Sequence, residues 1–260
     1  MTQDQSQQTT DKVDVARAEA WLTTLGQARP VSVGDPLPPF AHHAYFWQAE
    51  PEEALGRDGH EATANGLIPD LGLPVRMNAG GSLRHHAPFR AGVQAERLSR
   101  VVSVTKKDGR SGALAFVTIR HEVRQRAQPV LSEDQVLLYR AEAIPAEART
   151  VTVEADERRA LKLSTVTLFR YSALTFNAHR IHYDADYARD LGYPGLVVHG
   201  PLMATALGLW AAERGALGTF SYRAEAPLFL GDVAWLCRAG DQYWVEGPKR
   251  RLCMSAEVSR

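Results

Sequence analysis

Cysteine is scarce in this chain: Cys237 and Cys253 are the two among 260 residues. Two thiols cannot build a disulfide framework or a zinc site alone, so both are expected as reduced packing residues in strands. No charge of either sign is in surplus. Lys plus Arg and Asp plus Glu both number 30, which gives no reason to expect a nucleic-acid partner. No apolar run is long enough to span a membrane. The first ten residues are rich in Gln and Thr and lack an apolar stretch, so no secretory signal is expected and the segment reads as disordered. By elimination the expected compartment is the cytoplasm. Apolar residues make up 45% and mean hydropathy is −0.27, as in a soluble globular chain.

Taken in order, Asp11 to Leu25 reads as a helix with Val13, Ala16, Ala20, Trp21 and Leu25 on its apolar face and Gly26 as cap. Pro30 to Pro39 and Glu50 to Leu73 are dense in Pro, Gly and Asp and read as long loops. Strand texture begins at Ser82. Ala95 to Val104 and Ala113 to Val123 flank a turn at Lys107–Gly112, and Val136 to Tyr139 adds another piece. Charged Pro145 to Arg159 reads as a linker. Beyond it, Ser164 to Phe169 reads as a short strand and Tyr183 to Leu191 as a helix. Leu202 to Trp210 is apolar nearly all round and therefore a buried helix, with Pro201 in its first turn. Phe220 to Pro227, Val233 to Arg238, Gln242 to Val245 and Arg251 to Val258 read as antiparallel strands.

The halves repeat. Ser82-Leu83-Arg84-His85-His86-Ala87-Pro88-Phe89-Arg90-Ala91-Gly92 parallels Ser221-Tyr222-Arg223-Ala224-Glu225-Ala226-Pro227-Leu228-Phe229-Leu230-Gly231 at a constant offset. The copies are unequal, because the stretch of the first half that would match the buried helix holds Gly66, Pro69, Gly72 and Pro74. The division expected is 1–145, a non-catalytic binding half, and 146–260, a catalytic half.

Chemistry concentrates between Phe169 and Trp210. Asn177 and His182 stand five apart in Asn177-Ala178-His179-Arg180-Ile181-His182-Tyr183-Asp184, and Leu196-Val197-Val198-His199-Gly200-Pro201-Leu202 follows. A histidine exchanges protons near neutral pH. A carboxamide can hold a water by donating and accepting. A helix start offers free N–H groups to an oxyanion, and Pro201 has none to offer, which leaves Gly200. Together these parts suit water addition to, or removal from, an acyl compound. Asp184 is expected to cap or orient the loop. Ligation of a metal by His179, His182 and Asp184 fits only loosely, and no metal is expected.

These two motifs resemble those of the MaoC-like hydratases and dehydratases. That family's motif has the form Asp-x-Asn-Pro-aliphatic-His-x-Asp. Here its His falls on His182, its first Asp on Asn177, and its Asn-Pro on His179-Arg180, a departure. The variant is similar to the subgroup containing the mitochondrial 3-hydroxyacyl-thioester dehydratases and the itaconyl-CoA and mesaconyl-C4-CoA hydratases. The resemblance implies an α+β double hotdog, antiparallel sheets wrapped around a central helix. It implies a hydro-lyase that hydrates an unsaturated acyl-CoA reversibly, with itaconyl-CoA or mesaconyl-C4-CoA going to citramalyl-CoA, and no cofactor beyond the CoA thioester substrate. Asn177 and His182 are then catalytic. Gly200, His199 and Val198 contact the substrate, and Arg170 and Arg180 bind a second carboxylate. A homodimer of double hotdogs is the assembly considered. Two other classes stay open: a fatty-acyl dehydratase using the same residues, and a hotdog thioesterase or acyl-thioester binding module.

Overall fold

Ten strands form one antiparallel sheet in the computed structural model, which describes residues 6–61, 67–109, 112–142 and 148–260. The first half supplies β1 (Ser6–Asp11), β2 (Val75–His85), β3 (Ala95–Gly109), β4 (Gly112–Gln125) and β5 (Gln128–Arg140). The second supplies β6 (Glu157–Ala160), β7 (Thr219–Ala224), β8 (Trp235–Ala239), β9 (Gln242–Glu246) and β10 (Leu252–Ser259). The order across the sheet is β1-β3-β4-β5-β2-β7-β10-β9-β8-β6. Outward from the centre, the two halves run 2-5-4-3-1 and 7-10-9-8-6, the same path five strands later.

The repeat meets itself at the central pair. Ser82 lies opposite Ser221, and their hydroxyls are 3.0 Å apart across a sequence separation of 139. Equivalent residues face each other across two antiparallel strands where a two-fold axis passes between them.

Four helices complete the chain: α1 (Val15–Thr24), α2 (Thr165–Thr175), α3 (Ala185–Asp190) and α4 (Gly200–Ala212). Helix α4 is the buried one. Leu202, Met203, Ala204, Thr205, Leu207, Gly208, Leu209, Trp210 and Ala211 are all out of solvent, so its apolar circumference has the sheet and the loop at Phe40 to lie against. A Cβ at Gly208 would come within 2.8 Å of the Phe40 ring, which is how closely that loop approaches. This α+β arrangement is the one the hotdog resemblance implies.

Several sequence expectations are corrected. Residues 6–11 are a strand pairing with β3. Alternate Gln and Thr suit an edge, and Thr is a good strand former. Residues 1–5 of the segment read as disordered lie outside the described residues. Helix α1 buries Ala18, Trp21 and Leu22, while Ala16 and Ala20 are exposed. Ser164 to Phe169 opens helix α2: the Ser164 hydroxyl accepts from Thr167 N–H, and Leu168 and Tyr171 share a buried face, Tyr171 packing on Trp21 at 5.3 Å. The charged segment read as a linker ends in β6, an edge strand whose charges face water and partners. Residues 145–147 of that segment, and 110–111 in the predicted hairpin turn, lie outside the described residues, as does Gly66. The remaining strands fall where expected, except that β2 opens at Val75 rather than Ser82, and β3, β4 and β5 run longer than read. Cys237 and Cys253 are buried and free.

Candidate active site

The catalytic loop starts where α2 stops. Phe176 adopts a left-handed conformation (φ 52°), and the chain then leaves the helix. The Asn177 carbonyl oxygen Oδ1 accepts from His179 N–H at 3.0 Å, an Asx turn that fixes the amide. A 3-10 turn at Arg180–His182 follows. Asp184 caps α3 by accepting from Tyr187 N–H and pairs with Arg180 at 2.7 Å, the orienting role expected of it.

His182 is buried, and its Nδ1 lies 2.7 Å from the Val197 carbonyl oxygen. A carbonyl only accepts, so Nδ1 carries the proton and Nε2 keeps its lone pair. Burial lowers the His182 pKa to about 4, so the ring is neutral around pH 7. Behind it, His199 stacks on the same ring at 3.6 Å between centroids, and its Nε2 meets the Ser172 hydroxyl at 2.8 Å. His199 is fully buried and neutral, because desolvation drives its pKa down.

His182, Asn177, Val198 and Gly200 line one cavity of about 530 Å³. Gly200 opens α4, so its N–H has no acceptor within the helix. The opposite wall belongs to the first half: Arg76, Asn78, Gln135, Leu137 and Leu138 from β2 and β5, with Gly59, His60 and Glu61. The loop carrying Gly59 docks tightly on the catalytic loop. Gly59 has φ +85°, a Cβ there would meet the Ala178 carbonyl oxygen at 2.1 Å, and Arg180 N–H donates to the Asp58 carbonyl at 2.9 Å.

That loop adds an acid–histidine pair the sequence did not flag. His60 Nδ1 is 3.1 Å from Asp58 Oδ2, so it donates, and the Asn177 side chain lies within hydrogen-bond reach of the same ring. The His60 and His179 rings lie 4.4 Å apart, and burial lowers the pKa of both. Asp58 stays ionised: its burial is outweighed by the His60 contacts, and its pKa falls. Asp58 and His60 carried only a loop signal, a lone acid and histidine beside Gly59, and folding is what brings them to Asn177.

Asp58, His60 and His179 present ligand atoms within 4.8 Å of one another, so a metal set exists in geometry, and it shares only His179 with the spacing-based one. A second buried cluster lies away from the cavity. His42 and His43 both reach Glu133, at 2.7 and 2.9 Å. Burial takes His42 to about pKa 4, and the histidines hold Glu133 well below the ordinary carboxylate range against its own burial.

Other sequence-predicted residues stand apart. Arg180 is engaged by Asp184 and by the Tyr187 ring, and Arg170 is exposed on α2; neither lines the cavity. His199 supports His182 from behind and does not line it either. Among the described residues no helix is long and apolar enough to cross a membrane.

Comparison with known proteins agrees with this geometry. Residues 40–230 match the family model for type 2 hydroxyacyl-thioester dehydratase. A mesaconyl-C(4)-CoA hydratase of Chloroflexus aurantiacus is 41% identical over 97% of this chain and 94% of its own. A mitochondrial type 2 hydroxyacyl-thioester dehydratase of Schizosaccharomyces pombe is 28% identical over 77% of each. Among solved structures, HtdX of Mycobacterium tuberculosis superposes with a TM-score of 0.69 at 16% identity, covering 98% of this chain and 99% of that one. A MaoC-like dehydratase from Phytophthora capsici gives 0.71 at 12% identity, covering 99% and 95%. These two likenesses establish the fold alone. By sequence and architecture together, the chain belongs to the type 2 hydroxyacyl-thioester dehydratase family, hydro-lyases of the double-hotdog fold.

Proposed function

We propose that this enzyme adds water reversibly to the double bond of a short unsaturated acyl-CoA, the acyl group being a branched C5 dicarboxylic acid such as mesaconate or itaconate, with citramalyl-CoA as product. The name of the Chloroflexus relative supports the substrate class. The observation that carries the reaction is the His182 tautomer. Nδ1–H is committed to Val197, and Nε2 remains as a neutral base at the cavity that Gly200 also lines.

In mesaconyl-C4-CoA, whose double bond is conjugated with the thioester, the carbonyl accepts from Gly200 N–H, which draws electron density from the β-carbon. Asn177, its amide fixed by His179 N–H and His60, holds a water beside His182. As the water oxygen bonds to the β-carbon, His182 Nε2 takes its proton and the C=C pair moves toward the carbonyl oxygen. The enolate then collapses and takes a proton at the α-carbon, and protonated His182 lies on the same side to return it. Charge builds on the thioester oxygen only as the bond forms, so the Gly200 donor acts most in the transition state. No cofactor takes part in this reading. Residues 146–260 supply the acid–base groups and 1–145 the facing wall.

Thioester hydrolysis is disfavoured by one feature: the first turn of α4 carries no acidic residue. Incubation with mesaconyl-C4-CoA, itaconyl-CoA and crotonyl-CoA, read by mass, tests the proposal. A gain of one water supports it. Release of free CoA without hydration refutes it, and preference for the linear ester favours a fatty-acyl dehydratase.

A further inference from the structure

Two arginines, Arg76 and Arg140, line the cavity, and Arg76 owes its place to a backbone irregularity. In β2, Leu83 is part of the core that includes α4, and it lies opposite Glu133, which is also buried. Strict alternation would carry the inward positions on to Gly81, Ala79 and Met77. The register with β5 shifts between Asn78 and Gly80, so one residue is extra and the inward positions become Asn78, opposite Leu137, and Arg76, opposite Tyr139. Gly80 makes the bulge feasible, with φ +151° and no room for a Cβ, which would stand 2.5 Å from the Tyr222 carbonyl oxygen.

Arg76 therefore faces the cavity from the first half, held by a hydrogen bond to the Tyr139 hydroxyl across the strand pair. It makes no ion pair with a carboxylate among the described residues, whereas Arg158 in β6 and Arg120 in β4 each have one. Glu50 and Glu61 share the cavity wall. Glu61 feels the Arg76 charge without pairing with it, and burial raises its pKa. Arg76 is also close to His60 and His179, and the His179 ring lies 5.4 Å from that of His182. Burial lowers His60 and His179, and the Arg76 charge adds to the drop in both. An anion seated there would be beside Asn177 and His182, at the acyl end, and not at the phosphates of CoA beyond the pantetheine arm.

We propose that Arg76 selects the substrate by pairing with a free carboxylate borne by the acyl chain at the carbon that receives water. This rests on the hydratase reading above and names the group that recognises its substrate. In a C4 thioester of methylfumaric acid, the free carboxylate is attached to the β-carbon, the carbon to which hydroxide adds. A planar guanidinium suits a carboxylate by two parallel hydrogen bonds. A linear enoyl ester has a methyl group at that carbon and leaves the guanidinium unpaired. Asn78, inward in the same strand, has a buried amide within reach of the Tyr222 hydroxyl and stands 3.6 Å from where a Gly200 Cβ would be.

The test is the ratio of kcat/KM for mesaconyl-C4-CoA to that for crotonyl-CoA, measured in the parent, Arg76→Met and Arg76→Lys, with thermal melts as a fold check. The parent ratio is expected to be well above one. It should fall roughly tenfold to a few hundredfold in Arg76→Met, and by less in Arg76→Lys, which keeps the charge but not the two-pronged geometry. If Arg76→Met fails to fold, Arg76→Lys carries the comparison. An unchanged ratio, including equal loss on both esters as a CoA contact would give, overturns the assignment. A parent enzyme that hydrates both esters alike also overturns it while leaving the hydratase intact. A parent that hydrates neither removes the underlying reading instead.

Discussion

Burial keeps His182 neutral, as the base of the proposed hydration has to be. Its pKa is lowered to about 4, so protonation removes the acceptor only in acid. The sign is clear: kcat/KM should be flat above about pH 5 and fall as pH drops through about 4, and an activity loss centred near pH 6.5 would contradict it. His182→Ala should lower turnover by ~10²- to 10⁴-fold, the usual contribution of a positioned acid–base group, with the fold intact by circular dichroism. Asn177 acts by geometry. Asn177→Ala should be crippled, whereas Asn177→Asp should keep part of the activity, since a carboxylate can still accept from His179 N–H. Asp58 acts one step further out, through His60. Asp58→Asn leaves Nδ1 of His60 without its anionic partner and frees the ring to change tautomer. Turnover should fall roughly tenfold or more with little change in KM, in line with the loss of partners that orient site residues; a KM effect alone would mark Asp58 as structural.

At the level of elements, the bulge in β2 and the start of α4 are the two features that set the site. Gly80→Ala would drive a Cβ into the Tyr222 carbonyl at the centre of the sheet. It should destabilise by about 1–3 kcal/mol, as overpacking does, and should reduce turnover as well, because the same shift turns Arg76 and Asn78 away. A variant with parent stability and activity would mean that the bulge is incidental. Helix α4 was readable from sequence because an apolar run closed by Pro201 at its start has few alternatives. Helix α2 was not readable. Thr165, Val166 and Thr167 are β-branched and suggest a strand, and only the Ser164 cap and packing of Tyr171 on Trp21 overrule that preference.

The whole molecule carries its neutral histidines as a stability condition. His42, His121 and His182 are each lowered to about 4 by burial. Unfolded histidine titrates near 6.5, so between about 6.5 and 4 the unfolded chain binds more protons than the folded one. Stability is therefore expected to fall with decreasing pH across that window. Melting temperatures measured near pH 7.5 and about pH 5 check this; a higher value in acid would contradict the burial of these rings as neutral groups.

The duplication was legible because an antiparallel sheet with a two-fold axis brings equivalent residues together, and the constant offset recurs as Ser82 facing Ser221. Asn177, His182 and Gly200 were legible because local chain geometry places them: an Asx turn, a 3-10 turn and a helix start, all within one continuous stretch. Asp58, His60, Arg76 and Asn78 were not. They come from a loop and a strand of the other half, and no spacing along the chain encodes contact across the sheet. Arg170 and Arg180 illustrate the same limit, since sequence proximity to the catalytic pair does not fix direction, and both point away from the cavity. Sequence alone determined the fold class, the buried helix and the stretch that brings Asn177, His182 and Gly200 to one cavity, because hydrophobic period and local turns act over a few residues. Tertiary structure decided which arginine faces the substrate, because a one-residue register shift in β2 reverses the side of the sheet on which each side chain emerges.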